Sequence, residues 1–116
     1  MMKNVISASI VLLLASVVST RSETRVLAGH LVDEKCASYY RESQPEKLSE
    51  HSRACAMACG RQGGYGLVAP DQYISFDAEG RRLAQQWLEN TSREKDLRVS
   101  VTFAVEGEKL KVLKID

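Results

Sequence analysis

The sequence predicts an α+β fold in which β-strands predominate. Five segments carry the alternation of apolar and polar residues, or the short apolar runs, that are typical of β-strands. Turn-forming glycine, proline and aspartate residues separate most of these segments, and two further segments carry the pattern of helices. The predicted order is therefore strand, helix-bearing insertion, two strands, short helix, two strands.

Residues 1–22 have the three-part pattern of a secretory signal peptide. Lys3 makes the start of this segment positive, Val5–Val18 is almost wholly apolar, and the small residues Thr20 and Ser22 follow. The apolar run of about 14 residues is shorter than a transmembrane helix requires. We therefore expect cleavage after Ser22, with cleavage after Thr20 as the alternative. We also expect no stable membrane anchor after cleavage, and export of the mature chain to the periplasm or the cell exterior.

The charge balance argues against two classes of partner. The chain has 16 basic and 15 acidic residues, and residues 1–22 contain Lys3 and Arg21 but no acid, so 14 basic residues face 15 acidic ones after cleavage. This balance gives no electrostatic reason to expect nucleic acid or an anionic membrane surface as a partner. The sequence does not indicate a natural ligand or a protein partner.

The first half of the mature chain predicts a strand followed by a helix. The strand is predicted at Arg25–Asp33, where apolar residues stand on both sides of the alternation and indicate burial of both faces. The helix is predicted to begin at Ser43, because Ser43 and Glu46 have the spacing of a capping box. It is predicted to end at Gly60, because glycine readily takes the left-handed conformation that stops helices.

The second half predicts two hairpins separated by a short helix. Apolar alternation and turn residues set the ranges, which are 65–69 and 72–76 for the first hairpin, 82–90 for the helix, and 97–105 and 109–115 for the second hairpin. Asp77–Gly80 is predicted to be a turn. In the last strand the apolar positions change phase between Val112 and Leu113, which indicates a β-bulge or burial of both faces.

This order of elements favours a five-stranded, partly open barrel of the OB type. Such a barrel has a helix between its third and fourth strands, where the short helix is predicted, and the Cys/His-bearing helix becomes an insertion after the first strand. An open antiparallel sheet with the same hairpins is the alternative. We expect residues 23–116 to form a single OB-like domain, because no repeat, low-complexity tract or linker divides them.

The residues that indicate chemistry are Cys36, His51, Cys55 and Cys59. On one regular helix the last three would share a face, and Cys36 would complete the site from upstream. Three thiolates and one imidazole suit zinc, and a thiolate-rich pocket also suits copper(I). A disulfide between Cys36 and Cys55 or Cys59, which would staple the helix to the barrel, is favoured over the metal site, since exported cysteines are commonly oxidised and two residues four apart on a helix are poorly placed for a bridge.

The chain also resembles a group of small exported bacterial proteins of unassigned activity. The motifs that carry the resemblance are Asp33-Glu34-Lys35-Cys36, His51-Ser52-Arg53-Ala54-Cys55 with Cys59, Gly64-Tyr65-Gly66-Leu67-Val68, and the Phe76-Asp77-x-x-Gly80 turn. They are spread over nearly the whole mature region. The resemblance implies export and the same fold, with Cys36, His51, Cys55 and Cys59 as signature residues, and it implies no substrate.

The sequence favours an exported binding or structural domain over an enzyme. A thiol-disulfide redox protein is the alternative, but the chain has no C-x-x-C pair, and the predicted helix places Cys55 and Cys59 away from its amino end. The helix dipole disfavours a thiolate at such positions. The glycine-rich segment 60–66 leads into a strand-like run, whereas a phosphate-binding loop leads into a helix, so nucleotide binding is not expected.

Overall fold

The computed structural model describes residues 23–42 and 45–116. The predicted signal peptide, residues 1–22, and Ser43, the predicted start of the insertion helix, lie outside these residues. The described part of the chain is an α+β structure with one antiparallel sheet of five strands in the order β3-β2-β1-β4-β5. None of the helices among these residues is both long and apolar enough to cross a membrane.

The long first strand organises the sheet. β1, Glu23–Asp33, pairs through its first eight residues with β4, Arg98–Glu106, and through its last four with β2, Tyr65–Val68. The apolar residues on both sides of its alternation predict burial of two faces. This is confirmed at the end of the strand, where Leu31 and Val32 are both fully buried, and is wrong for its first half, where Val26 is 65 % exposed. The end of β1 is therefore deep in the molecule where the chain leaves the sheet.

Both predicted hairpins are present. β2 pairs with β3, Tyr73–Ser75, and β4 pairs with β5, Lys109–Ile115. The register of the second hairpin shifts so that Thr102 faces Lys114 while its neighbour faces Val112. Leu113 is left as the extra residue, which confirms the predicted bulge.

The insertion between β1 and β2 differs from the single helix that was predicted. It contains α1, Glu34–Glu42, then a 3-10 helix, Pro45–Glu50, then α2, Arg53–Gly63. Ser52 takes an extended conformation and caps α2, so the 3-10 helix and α2 are separate elements. α2 continues past Gly60 to Gly63 and is capped by Gly64, whose φ of 90° and ψ of −176° form a positive-φ conformation that glycine adopts far more readily than other residues.

The helix before β4 is longer than predicted. α3 spans Ala78–Asn90, because Asp77 caps it by accepting a hydrogen bond from the amide of Gly80 at 2.9 Å. The segment Asp77–Gly80, predicted to be a turn, is therefore the first turn of this helix. An aspartate at the first of these positions is typical of a helix start as well as of a turn. The sequence therefore does not distinguish the predicted turn from the observed first turn of α3.

The core lies between one face of the sheet and helices α2 and α3. Alternate residues of β4 point into it, and Val101 and Phe103 are fully buried there. Ala84 and Leu88, four residues apart on α3, pack against the same face and are also fully buried. This packing fixes the sheet and thereby the end of β1, from which the candidate site begins.

Candidate metal centre

Asp33 is the last residue of β1 and is fully buried. Its Oδ2 accepts a hydrogen bond of 2.9 Å from the amide of Cys36, in the manner of a helix cap at the start of α1. A buried carboxylate is costly unless its oxygens are paired. The cap gives Oδ2 a hydrogen-bond donor, whereas Oδ1 takes no part in it.

His51 lies in the break between the 3-10 helix and α2. Its amide donates to the carbonyl of Leu48 at 3.2 Å, and the next residue caps α2, so the backbone on both sides of His51 is held. The side chain is only 3 % exposed, and its Nε2 lies 3.0 Å from Oδ1 of Asp33. The ring of Tyr40, on α1, packs edge-on against the imidazole with centroids 5.3 Å apart.

The close approach of His51 to Asp33 satisfies the polar atoms only in part. Oδ1 of Asp33 and Nε2 of His51 form a buried ion pair when the imidazole is protonated, but neither atom has a hydrogen bond of regular geometry among the described residues, and Nδ1 of His51 has no partner there. Nearly all buried polar side-chain atoms in proteins are hydrogen-bonded, and leaving one unpaired costs about 1–3 kcal/mol. A cation between the carboxylate oxygen and an imidazole nitrogen would satisfy both atoms.

Cys36 supplies the third donor. It is half-buried on the first turn of α1, and its sulfur, a carboxylate oxygen of Asp33 and a ring nitrogen of His51 lie within 4.8 Å of one another. We call this set the Asp33/Cys36/His51 cluster. Its three members come from the end of a strand, a helix and the break between two helical segments, so the fold brings together residues that are up to 18 positions apart.

The electrostatics of the cluster favour the ionised form of the Asp33 carboxyl and the protonated form of the Cys36 thiol. Burial raises the pKa of Asp33, but the approach of His51 and the amide of Cys36 outweigh this and hold the pKa below its ordinary value. Burial and the negative charge of Asp33 raise the pKa of the Cys36 thiol to about 12. A thiolate at this position would therefore require a cation beside it.

The structure brings together two of the four residues predicted as ligands. Cys36 and His51 belong to the cluster, whereas Cys55 and Cys59 lie on α2 outside this group of three. The predicted helical stripe is wrong at His51, which precedes the capping residue Ser52 and is not in a helix. All three thiols are free in the structure, so the predicted disulfide stays a prediction.

Sequence reasoning missed Asp33 as a site residue. The available signal was its spacing. An aspartate at an N-cap accepts a hydrogen bond from the amide three residues later, which is the spacing of Asp33 and Cys36. It was missed because no helix was predicted directly after β1. Without that helix nothing in the sequence turns the carboxylate and the thiol toward each other.

The position of Cys55 also differs from expectation. It is exposed, and its amide donates to Oγ of Ser52 at 3.1 Å, which places it in the first turn of α2. It was predicted in the interior of a helix, where the dipole gives an anion no support. At the amino end, where it lies, the positive end of the helix dipole favours negative charge.

Comparisons of the chain with protein-family models, with curated proteins and with solved structures gave no match. What the site does must therefore be argued from its own geometry.

Proposed function

We propose that this protein is an exported domain that binds a zinc ion through Asp33, Cys36 and His51. The observation that carries the proposal is the convergence of three different donor atoms within 4.8 Å, in a cluster where a carboxylate oxygen and an imidazole are buried and have no other hydrogen-bond partner in the described part of the chain. Structural and catalytic metal sites are built from such buried donors held by separate elements. We therefore propose metal binding as the function.

The donor set favours zinc over copper. One carboxylate oxygen, one imidazole nitrogen and one sulfur form a mixed set, and zinc accepts all three ligand types in tetrahedral sites. Copper(I) prefers soft sulfur ligands, so it would favour a site made of the three thiols over one that contains Asp33. A bound cation would also hold the Cys36 thiolate, which burial disfavours in its absence.

Three ligands leave one position of a tetrahedral zinc ion for a fourth. We propose Cys59 for this role. It is half-buried on α2, which packs against α1, and its side chain would have to move toward the cluster, because the Cys59 sulfur is not among the donor atoms that lie within 4.8 Å of one another. The exposed Cys55 is then free of the metal. A site closed by four protein ligands would be structural, in keeping with a domain that binds but does not catalyse.

The proposal also includes the fold of the domain and its cellular compartment. We propose an OB-like half-barrel, supported by the strand order β3-β2-β1-β4-β5, in which no described strand pairs with the outer edge of β3 or of β5, and by α3 between β3 and β4. Export is supported by the sequence of residues 1–22 alone.

The chain offers a matched pair of variants for the test, because it contains two histidines. We expect the protein purified from cells to carry one equivalent of zinc, His51→Gln to lose it, and His30→Gln to keep it. Elemental analysis after extensive dialysis and zinc titration against a chromophoric chelator would measure both. Equal zinc retention in His51→Gln and the unaltered protein would rule out the proposed site.

A thiol-disulfide redox protein is the second candidate, and one observation favours it. Cys55 is exposed in the first turn of α2, the position at which helices stabilise a thiolate. The test is the rate at which Cys55 reacts with an alkylating reagent at mildly acidic pH, with glutathione as the reference. A rate no higher than that of glutathione would remove this candidate without affecting the zinc site.

A further inference from the structure

We propose a second binding site, separate from the metal cluster, for a small, uncharged and mainly apolar molecule. It is a groove of about 580 Å³ over strands β1 and β4, which we call the β1–β4 groove, lined among others by Ala28, His30, Leu48, Val68, Arg98 and Ser100. Its volume is within the range of small-molecule sites, which is roughly 300–1,000 Å³. The three residues of the metal cluster are not part of its lining.

The floor of the groove is made of small side chains. Ala28 on β1 lies directly opposite Ser100 on β4, and both are exposed, so the sheet surface between them is bare. Leu48 of the 3-10 helix and Val68 of β2 add apolar walls. Most of the surface that the groove offers is therefore apolar, and burying it against a ligand would be favourable by roughly 25 cal/mol per Å².

The polar wall of the groove is held in a fixed geometry. The carboxylate of Asp96 accepts from Nε2 of His30 at 3.1 Å and from Nε of Arg98 at 3.0 Å. Asp96 has a φ of 53°, an uncommon left-handed conformation for this residue type, and its amide donates to the carbonyl of Ser49 at 2.8 Å. This bond ties the polar wall to the segment that carries Leu48, so both sides of the groove are positioned together.

The charges at the groove decide the class of ligand. Among the residues that the structure describes, the two charged ones that line it have partners: Arg98 pairs with Asp96, and Asp116 pairs with Lys114 at 3.2 Å. An ionic ligand would lose hydration on entry without gaining an uncompensated counter-charge. An uncharged molecule loses little hydration and gains the apolar contact, so neutral ligands are favoured.

A matched pair of fluorescent probes tests this inference. N-phenyl-1-naphthylamine is uncharged, and 1-anilinonaphthalene-8-sulfonate has the same ring system with a negative charge. We expect the neutral probe to bind the purified full chain saturably, at one site and at least tenfold more tightly than the sulfonate. Ala28→Trp, which fills the floor, should weaken the neutral probe at least tenfold.

Val26→Trp is the control variant. Val26 lies two residues away on the same face of β1, is 65 % exposed and does not line the groove, so the neutral probe should bind this variant as it binds the unaltered protein. Circular dichroism would verify that both variants are folded. Equal binding by Ala28→Trp and the unaltered protein, or a sulfonate that binds as tightly as the neutral probe, would overturn the inference. Binding to the apolar residues 1–22 would also leave Ala28→Trp unaffected and count against it.

Discussion

Asp33 joins two elements with its two carboxylate oxygens. Oδ2 accepts from the amide of Cys36 and begins α1, while Oδ1 lies 3.0 Å from Nε2 of His51. One side chain therefore both caps the helix that carries the thiol and faces the imidazole. The cap positions Cys36 whether or not a metal is bound, so the two roles of Asp33 are separable by mutation.

Asp33→Asn and Asp33→Ala should separate them. Asparagine retains a side-chain oxygen that caps a helix well, so Asp33→Asn should keep α1 while its zinc affinity falls at least tenfold. Asp33→Ala should lose the same affinity and in addition about 1 kcal/mol of unfolding free energy through the lost cap. Urea unfolding with a chelator present would measure the cap, and zinc titration the site. Undiminished zinc affinity in Asp33→Asn would contradict the role of Oδ1.

The three thiols should differ in their effect on zinc retention. Cys36→Ser should abolish it, because Cys36 belongs to the cluster, and Cys55→Ser should leave it unchanged, because Cys55 is exposed and outside the cluster. Cys59→Ser should weaken zinc binding if Cys59 is the fourth ligand. Elemental analysis of the three purified variants is the measurement, with Cys55→Ser as the control. Loss of zinc in all three variants would instead indicate the four-ligand site of Cys36, His51, Cys55 and Cys59.

The competing fate of Cys36 is a disulfide with Cys55 or Cys59. Alkylation of the purified protein under denaturing conditions, followed by peptide mass spectrometry, would reveal it. Three alkylated thiols agree with the free cysteines of the structure. A blocked Cys36 that becomes reactive only after reduction would show that the staple forms and that the thiol is then not available to a metal.

The sequence predicts the sheet well because strand patterns depend on local alternation. The hairpins, the helix before β4 and the bulge at Leu113 all follow from short-range signals that the structure retains. Gly60 shows where such signals fail. It was predicted to stop a helix, yet it lies inside α2. Glycine is needed at this position for packing, because a side chain would collide with the ring of Tyr65.

The site could be predicted only in part, for a related reason. The residue types of Cys36 and His51 are enough to predict them as ligands from the sequence. Asp33 becomes a candidate ligand only through tertiary packing, which buries the end of β1 beside them. The insertion was predicted as one helix because His51, Cys55 and Cys59 are evenly spaced. The extended conformation of Ser52 interrupts the predicted helix. When the residues before a capping serine also fit a helix, the sequence does not distinguish it from a serine in a helix interior.

Gly60→Ala should destabilise the protein. The added methyl group would clash with the ring of Tyr65, which is 2 % exposed and held by a hydrogen bond of 2.7 Å from its hydroxyl to Gln85. A ring held at both ends cannot move aside easily, so the expected loss is about 1–3 kcal/mol. Gly63→Ala is the matched control, because it lies in the same helix with nothing within 4 Å of the added carbon. Equal stability of the two variants in urea would contradict the packing of Tyr65 on α2.

Ser52→Ala should weaken both the fold and the metal site. Oγ of Ser52 accepts from the amide of Cys55 at 3.1 Å and so fixes the start of α2, directly after His51. Its loss should lower the unfolding free energy by about 1 kcal/mol and reduce zinc affinity, since the backbone that holds His51 becomes less restrained. Ser52→Asp should restore both properties, because aspartate also caps helices, and Ser92→Ala, an exposed serine outside the helices, should change neither. If Ser52→Ala loses stability but binds zinc as the unaltered protein does, the cap supports α2 without positioning His51.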